Sequence, residues 1–130
     1  MPHRLLFFGA MLAGFGVAAG AFGAHSLKGI MSADRLVVFE TAVRYQMYHA
    51  IALLIVGAML EHPSYRADRA MQTAGWCFIS GIVLFSGSLY VVALAGIRWF
   101  GAITPLGGVA FLAGWIVMAR AVWKRRETFL

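Results

Sequence analysis

The chain has 130 residues, 62% of them hydrophobic and 12% charged, about half the roughly 25% charged share of soluble domains. That leaves too little polar surface to wrap a core in water, so apolar side chains must face lipid. A single cysteine, Cys77, and the lack of any asparagine exclude an intramolecular disulfide, a dithiol relay and N-glycosylation; the net charge of +6 lies mainly at loops and ends, which reads as membrane topology rather than nucleic-acid binding.

Four apolar runs follow in chain order, Leu5–Ala24, Val43–Leu60, Thr73–Ala95 and Thr104–Val122. Each is close to the ~20 residues that cross a ~30 Å hydrocarbon layer as a helix. They predict an all-α protein, a four-helix transmembrane bundle forming one domain over 1–130, with both termini on the same side. In the first run, Arg4 before an apolar stretch and the small residues Ala19-Gly20-Ala21 also fit a signal peptide. The stretch is longer than the ~7–15 residues of a signal core, so it is read as a retained helix. Small residues four apart (Ala10 and Gly14, Gly16 and Gly20, Ala19 and Gly23, Ala110 and Gly114) predict close helix packing within the chain.

The first break runs from Ser26 to Asp34 and contains Gly29. The second helix is predicted to begin before the membrane, because Ser32 suits an N-cap, Asp34 suits the first turn, and no proline occurs from Ala33 to Leu60. At ~1.5 Å per residue that helix is about 42 Å long, more than the hydrocarbon core requires. Glu61-His62-Pro63-Ser64 through Asp68 and Arg69 forms the second break, and Gly96–Gly101 around Arg98 the third. The side holding the termini carries Arg4, Arg66, Arg69, Arg120, Lys124, Arg125 and Arg126, against Lys28, Arg35, Arg44 and Arg98 on the other. That bias predicts a bacterial inner-membrane protein with N and C termini in the cytoplasm and Trp123 as an interface anchor.

Polar residues gather in the half away from the termini. Glu40, Arg44 and Tyr48 recur every four residues on one helix face, in the order that favours a Glu–Arg ion pair, with Tyr90 or Thr104 expected to close it. His49, flanked by Tyr45 and Gln46, lies on the far side of the same helix. An unpaired charge at membrane depth costs about 2.5–3.5 kcal/mol even on the lenient insertion scale, so at least one of these stripes should face the bundle. Because alternate spans run in opposite directions, His25, Glu40, Arg44, Tyr45, Tyr48, His49, Ser86, Ser88, Tyr90 and Thr104 all fall in that half, whereas the other half holds Thr73, Cys77, Ser80 and Arg120. The set has two readings. It is either a belt of interface anchors and helix-bonded hydroxyls, or a binding site. His49 is expected to be a neutral imidazole bonded to a backbone carbonyl or to a serine of the third helix.

Specific chemistries find little support. His25 and His49 lack a thiolate or carboxylate at ligand spacing, so neither a metal site nor a haem or other cofactor is expected. Ser86-Gly87-Ser88 is not a nucleophile elbow, no phosphate-binding glycine motif occurs, and no span has an acid at its centre for proton-coupled export. The expectation is a non-enzymatic membrane protein that binds a small polar group, a lipid headgroup or a partner helix through its polar cluster. The alternative is a small transporter or channel for an ion or small solute. Its partners would be membrane lipids, a second copy or another membrane protein, and not nucleic acid.

The stretches GAFGAH (20–25), FETAVRYQMYHA (39–50), LFSGSLY (84–90) and GAITPLGG (101–108) resemble the domain-of-unknown-function 423 family of small bacterial membrane proteins, to which eukaryotic transmembrane protein 256 is also similar. The resemblance implies four transmembrane helices and membrane residence, and it brings no activity, substrate or cofactor. Its motif residues fall on His25, Glu40, Arg44, Tyr45, Tyr48, His49, Ser86, Ser88, Tyr90, Thr104 and Pro105.

Overall fold

In the computed structural model, which describes residues 1–126, every regular element among the described residues is helical. Helix α1 (Pro2–Phe22) continues through a π-helical turn at Gly23–Leu27; α2 covers Ala33–Glu61; α3 (Arg69–Gly81) and α4 (Gly87–Ala95) are joined by a second π turn at Ile82–Ser86; and a short 3-10 segment, Arg98–Ala102, leads into α5 (Thr104–Arg126). These make four spans long and apolar enough to cross a membrane: Pro2–Leu27, Ala33–Glu61, Arg69–Ala95 and Arg98–Arg125. The spans extend beyond the apolar stretches, most of all at the start of the second, because a helix carries its own backbone hydrogen bonds out into the headgroup zone. Residues 127–130 and the Arg126 side chain, the end of the basic tail, lie outside the description.

Helix ends are closed by the residues that local chemistry requires. Ser32, in an extended conformation, accepts a 3.5 Å bond from Arg35 N–H and starts α2 as expected. Asp68 does the same for α3 through Met71 N–H at 3.0 Å. The third span ends at Gly96, whose φ of +73° places it in the left-handed region that a side chain would strain. The last carbonyls of that span are reached from elsewhere: the Arg35 guanidinium donates to Ala93 O and Leu94 O, each at 2.7 Å.

The first and last helices both meet the Glu61–Asp68 connection, His3 pairing with Glu61 at 3.4 Å and Arg125 with Asp68 at 3.2 Å. We call this the terminal face and its opposite the distal face. The second and third spans are the more buried, with α1 packed along α2 and α5 along α3. Leu5, Leu53, Val56, Leu60, Met71, Phe78 and Phe111 form the larger apolar core, and Leu27, Phe39 and Ala93 a smaller distal one.

Lipid tails are as apolar as leucine, so association between spans rests on close van der Waals fit. The fit is made by glycines that receive large side chains. A Cβ at Gly81 would meet the Phe111 ring, and one at Gly114 the Phe78 ring at 2.6 Å, so α3 and α5 interlock reciprocally. At Gly107 a Cβ would strike the backbone of Phe85, so the third and fourth spans approach closely there. Gly9, Gly16 and Gly57 do the same at the α1–α2 seam, facing Leu54, Met47 and Leu6. Gly14 faces open space, so of the small-residue pairs that of Ala10 and Gly14 does not contribute to this packing.

Candidate functional site

The polar residues of the distal half resolve into separate constellations. The first centres on Gln46, which is only 6% exposed. Its Nε2 donates to the Leu12 carbonyl of the first span at 2.8 Å, and its Oε1 accepts from Tyr90 OH of the third span, also at 2.8 Å. One amide thus ties three spans together. Gln46 is buried within the bundle, where an unmet polar group is costly. Beside this pair lies an apolar recess of about 540 Å³, walled by Phe15, Phe22, Phe39 and Leu94.

The second constellation is His49, about 24 Å from the start of α2 and about 18 Å from its end at ~1.5 Å per residue, hence near the middle of the span. Its Nδ1 is 2.8 Å from Tyr45 O, and the Trp115 indole N–H donates to its Nε2 at 3.1 Å. An indole nitrogen can only donate, so Nε2 must be an acceptor and the proton sits on Nδ1, donated to the Tyr45 carbonyl. The arrangement specifies a neutral imidazole in one tautomer, bonded to a backbone carbonyl as its surroundings led us to expect. Aromatic rings enclose it: Phe111 stacks at a 3.4 Å centroid separation and 8° between planes, and Phe78 stands at 5.6 Å. Tyr45 adds its ring to this box, 4.6 Å from that of Phe85.

A third group joins the third and fourth spans. Ser88 Oγ donates to Phe85 O at 2.9 Å and lies 2.6 Å from Thr104 Oγ1; with its one proton committed to the carbonyl, Ser88 accepts from Thr104. Ser86, fully buried at the end of the π turn, has no hydrogen-bond partner for its hydroxyl among the described residues.

The remaining members point outward. His25 is exposed in the first π turn. Glu40, Arg44 and Tyr48 form an exposed stripe along α2. The expected Glu40–Arg44 ion pair is absent among the described residues, and no third group closes it. Tyr90 is committed to Gln46 and Thr104 to Ser88, both on the far side of α2 from this stripe. Of the two stripes, the one containing Gln46 and His49 is therefore the one that faces the bundle. Glu40 and Arg44 instead flank a groove of about 250 Å³ at the α1–α2 seam, lined also by Gly20, Gly23, Phe39 and Val43.

Three participants were not legible as such. In the sequence, Arg35 stands out only as a topological charge and Gln46 only as a neighbour of His49, and no polar pattern marks Trp115. Trp115 did carry a signal, since an indole placed mid-span must find an acceptor for its N–H. In the terminal half the buried side chains are apolar, with Leu5, Leu53, Val56, Leu60, Met71 and Phe78 filling the space below His49.

Fold and site together define a four-span integral membrane protein whose distal half is tied by buried side-chain hydrogen bonds. The chain belongs to the family described as protein of unknown function DUF423, whose profile matches residues 19–108. It is 44% identical to the UPF0382 membrane protein SH2409 of Staphylococcus haemolyticus, over 92% of this chain and 94% of that one. The UPF0382 membrane protein YwdK of Bacillus subtilis is 45% identical, over 92% and 95% respectively. No solved structure matches the chain.

Proposed function

We propose that this is a non-enzymatic lipid-binding protein of the bacterial inner membrane, with both termini in the cytoplasm, whose distal groove holds a zwitterionic phospholipid headgroup. The observation that carries the reading is the pair Glu40 and Arg44: opposite charges one helical turn apart, exposed, unpaired with each other, and flanking the same groove. Their depths match such a headgroup. Glu40 lies nearer the distal surface and Arg44 about 6 Å deeper at ~1.5 Å per residue, which suits an outer ammonium and an inner phosphate. Binding is favoured over conduction because the polar groups of the distal half give way to the apolar packing of Leu53, Val56, Leu60 and Phe78.

The test is lipid retention by the purified protein in detergent, read by native mass spectrometry. Phosphatidylethanolamine, whose ammonium can donate to Glu40, is expected to be retained over phosphatidylcholine of the same chains. Glu40→Gln should erase the preference, and Arg44→Gln should lower retention of both. Unchanged retention in both variants refutes the proposal. Solute flux into liposomes abolished by Arg44→Ala would replace it with the transporter reading.

A further inference from the structure

A second feature lies on the opposite face and takes no part in that reading. Between the start of α3 and the last turns of α5 is a cavity of about 470 Å³ lined by Asp68, Arg69, Arg120, Lys124 and Arg125, with Ala70 and Ala121 as its apolar surface. A volume of that size is typical of small-ligand sites. Four cations and one carboxylate surround it. The carboxylate is already engaged, since Asp68 accepts from Met71 N–H at 3.0 Å and pairs with Arg125 at 3.2 Å. The Arg125 guanidinium also lies over the Tyr65 ring at 4.7 Å, so this cation is held in place.

The side chains of Arg69, Arg120 and Lys124 have no hydrogen bond or ion pair among the described residues. Arg120 and Lys124 stand four apart on one helix face, where like charges repel. A topological bias accounts for basic residues on this side of the membrane. It does not account for their convergence on one cavity whose one acid among the described residues is spoken for. An anion relieves the repulsion of all four cations at once.

We propose that this cavity is a site for an anionic phospholipid, its phosphate held by Arg69, Arg120 and Lys124 beside the preset Arg125. A lipid is the occupant because of where the cavity sits: the fourth apolar run ends at Val122, so Arg120 and Lys124 bracket the boundary between hydrocarbon and headgroups. A basic pocket between spans at that depth meets lipid phosphates directly. The site shares no residue with the groove at Glu40 and Arg44, so either can fail without the other.

The full chain, purified in a nonionic detergent, is titrated with phosphatidylglycerol and with phosphatidylcholine of the same acyl chains, and retention is read by native mass spectrometry. Phosphatidylglycerol retention is expected to fall roughly tenfold or more in the Arg120→Gln/Lys124→Gln double variant, with little change for phosphatidylcholine. Glu40→Gln should leave that fall intact. Equal phosphatidylglycerol retention in the double variant and the wild type overturns the proposal. Displacement of the lipid by millimolar inorganic phosphate also overturns it, since that marks a free-phosphate site. A readout on the wild-type protein guards against a folding defect: phosphatidylglycerol, and not phosphatidylcholine, should slow amide exchange in residues 64–72, where Asp68 anchors Arg125. Equal exchange with either lipid counts against the site.

Discussion

Replacing Gln46 by leucine tests the claim that one buried amide holds the distal half together. The substitution keeps an apolar side chain of similar size and removes two bonds, to Leu12 O and to Tyr90 OH, both 2.8 Å long. Hydrogen bonds between membrane helices contribute about 0.6 kcal/mol on average and up to about 1.7 kcal/mol, so the two together give a loss of about 1–3 kcal/mol. The Leu12 carbonyl keeps its own helix partner, and most of the penalty falls on the orphaned Tyr90 hydroxyl in its half-buried setting. Tyr90→Phe removes that hydroxyl. The double variant should therefore be less destabilised than the sum of the two singles, with a coupling of about 0.6–1.7 kcal/mol. Reversible unfolding in mixed detergent micelles, followed by circular dichroism, measures all four corners of the cycle. A coupling below about 0.3 kcal/mol, or wild-type stability of Gln46→Leu alone, would show that the bond makes no net contribution.

Other substitutions probe the remaining contacts. Gly107→Ala should destabilise by about 1–3 kcal/mol, because its new methyl meets the backbone of Phe85, which no rotamer change can clear; Gly14→Ala, facing open space, should be neutral or stabilising by up to about 1 kcal/mol in the same unfolding assay. Arg35→Leu leaves the Ala93 and Leu94 carbonyls without their guanidinium, and an expected loss of about 2–3 kcal/mol should come with faster amide exchange at 90–96. The nitrogen-15 spectrum of the imidazole of His49 should show a protonated Nδ1 and a bare Nε2, and Trp115→Phe should shift Nε2 selectively; a proton on Nε2 would contradict the assignment. A reporter active only in the cytoplasm should be active when fused after Leu130 and silent in the loop at Gly29, the reverse result inverting the topology.

Much of the architecture is dictated by local sequence. Apolar runs of membrane length force helices because a lipid-exposed backbone must bond to itself, and that alone accounts for four spans and for the absence of strands among the described residues. The start of α2 at Ala33 follows from Ser32 as its cap and from the lack of proline up to Glu61. Residue spacing also places His49 and Glu40 on opposite sides of one helix, and the requirement that a buried ring nitrogen be bonded anticipates its carbonyl partner.

What spacing cannot give is the rotation of each helix about its own axis. The Glu40–Arg44 spacing is right for an ion pair, yet α2 is turned so that this stripe faces outward and Gln46 and His49 face inward. That rotation is set at the α1–α2 seam, where Met47 and Leu54 seat against Gly16 and Gly9 and Leu6 seats against Gly57. Pairings such as Gln46–Tyr90, His49–Trp115 and Arg35 with the end of the third span join residues 44 to 66 positions apart, and no local pattern encodes them. In lipid, where apolar burial does not favour one helix face over another, these steric fits and the polar groups they bring within bonding distance decide which side chains meet.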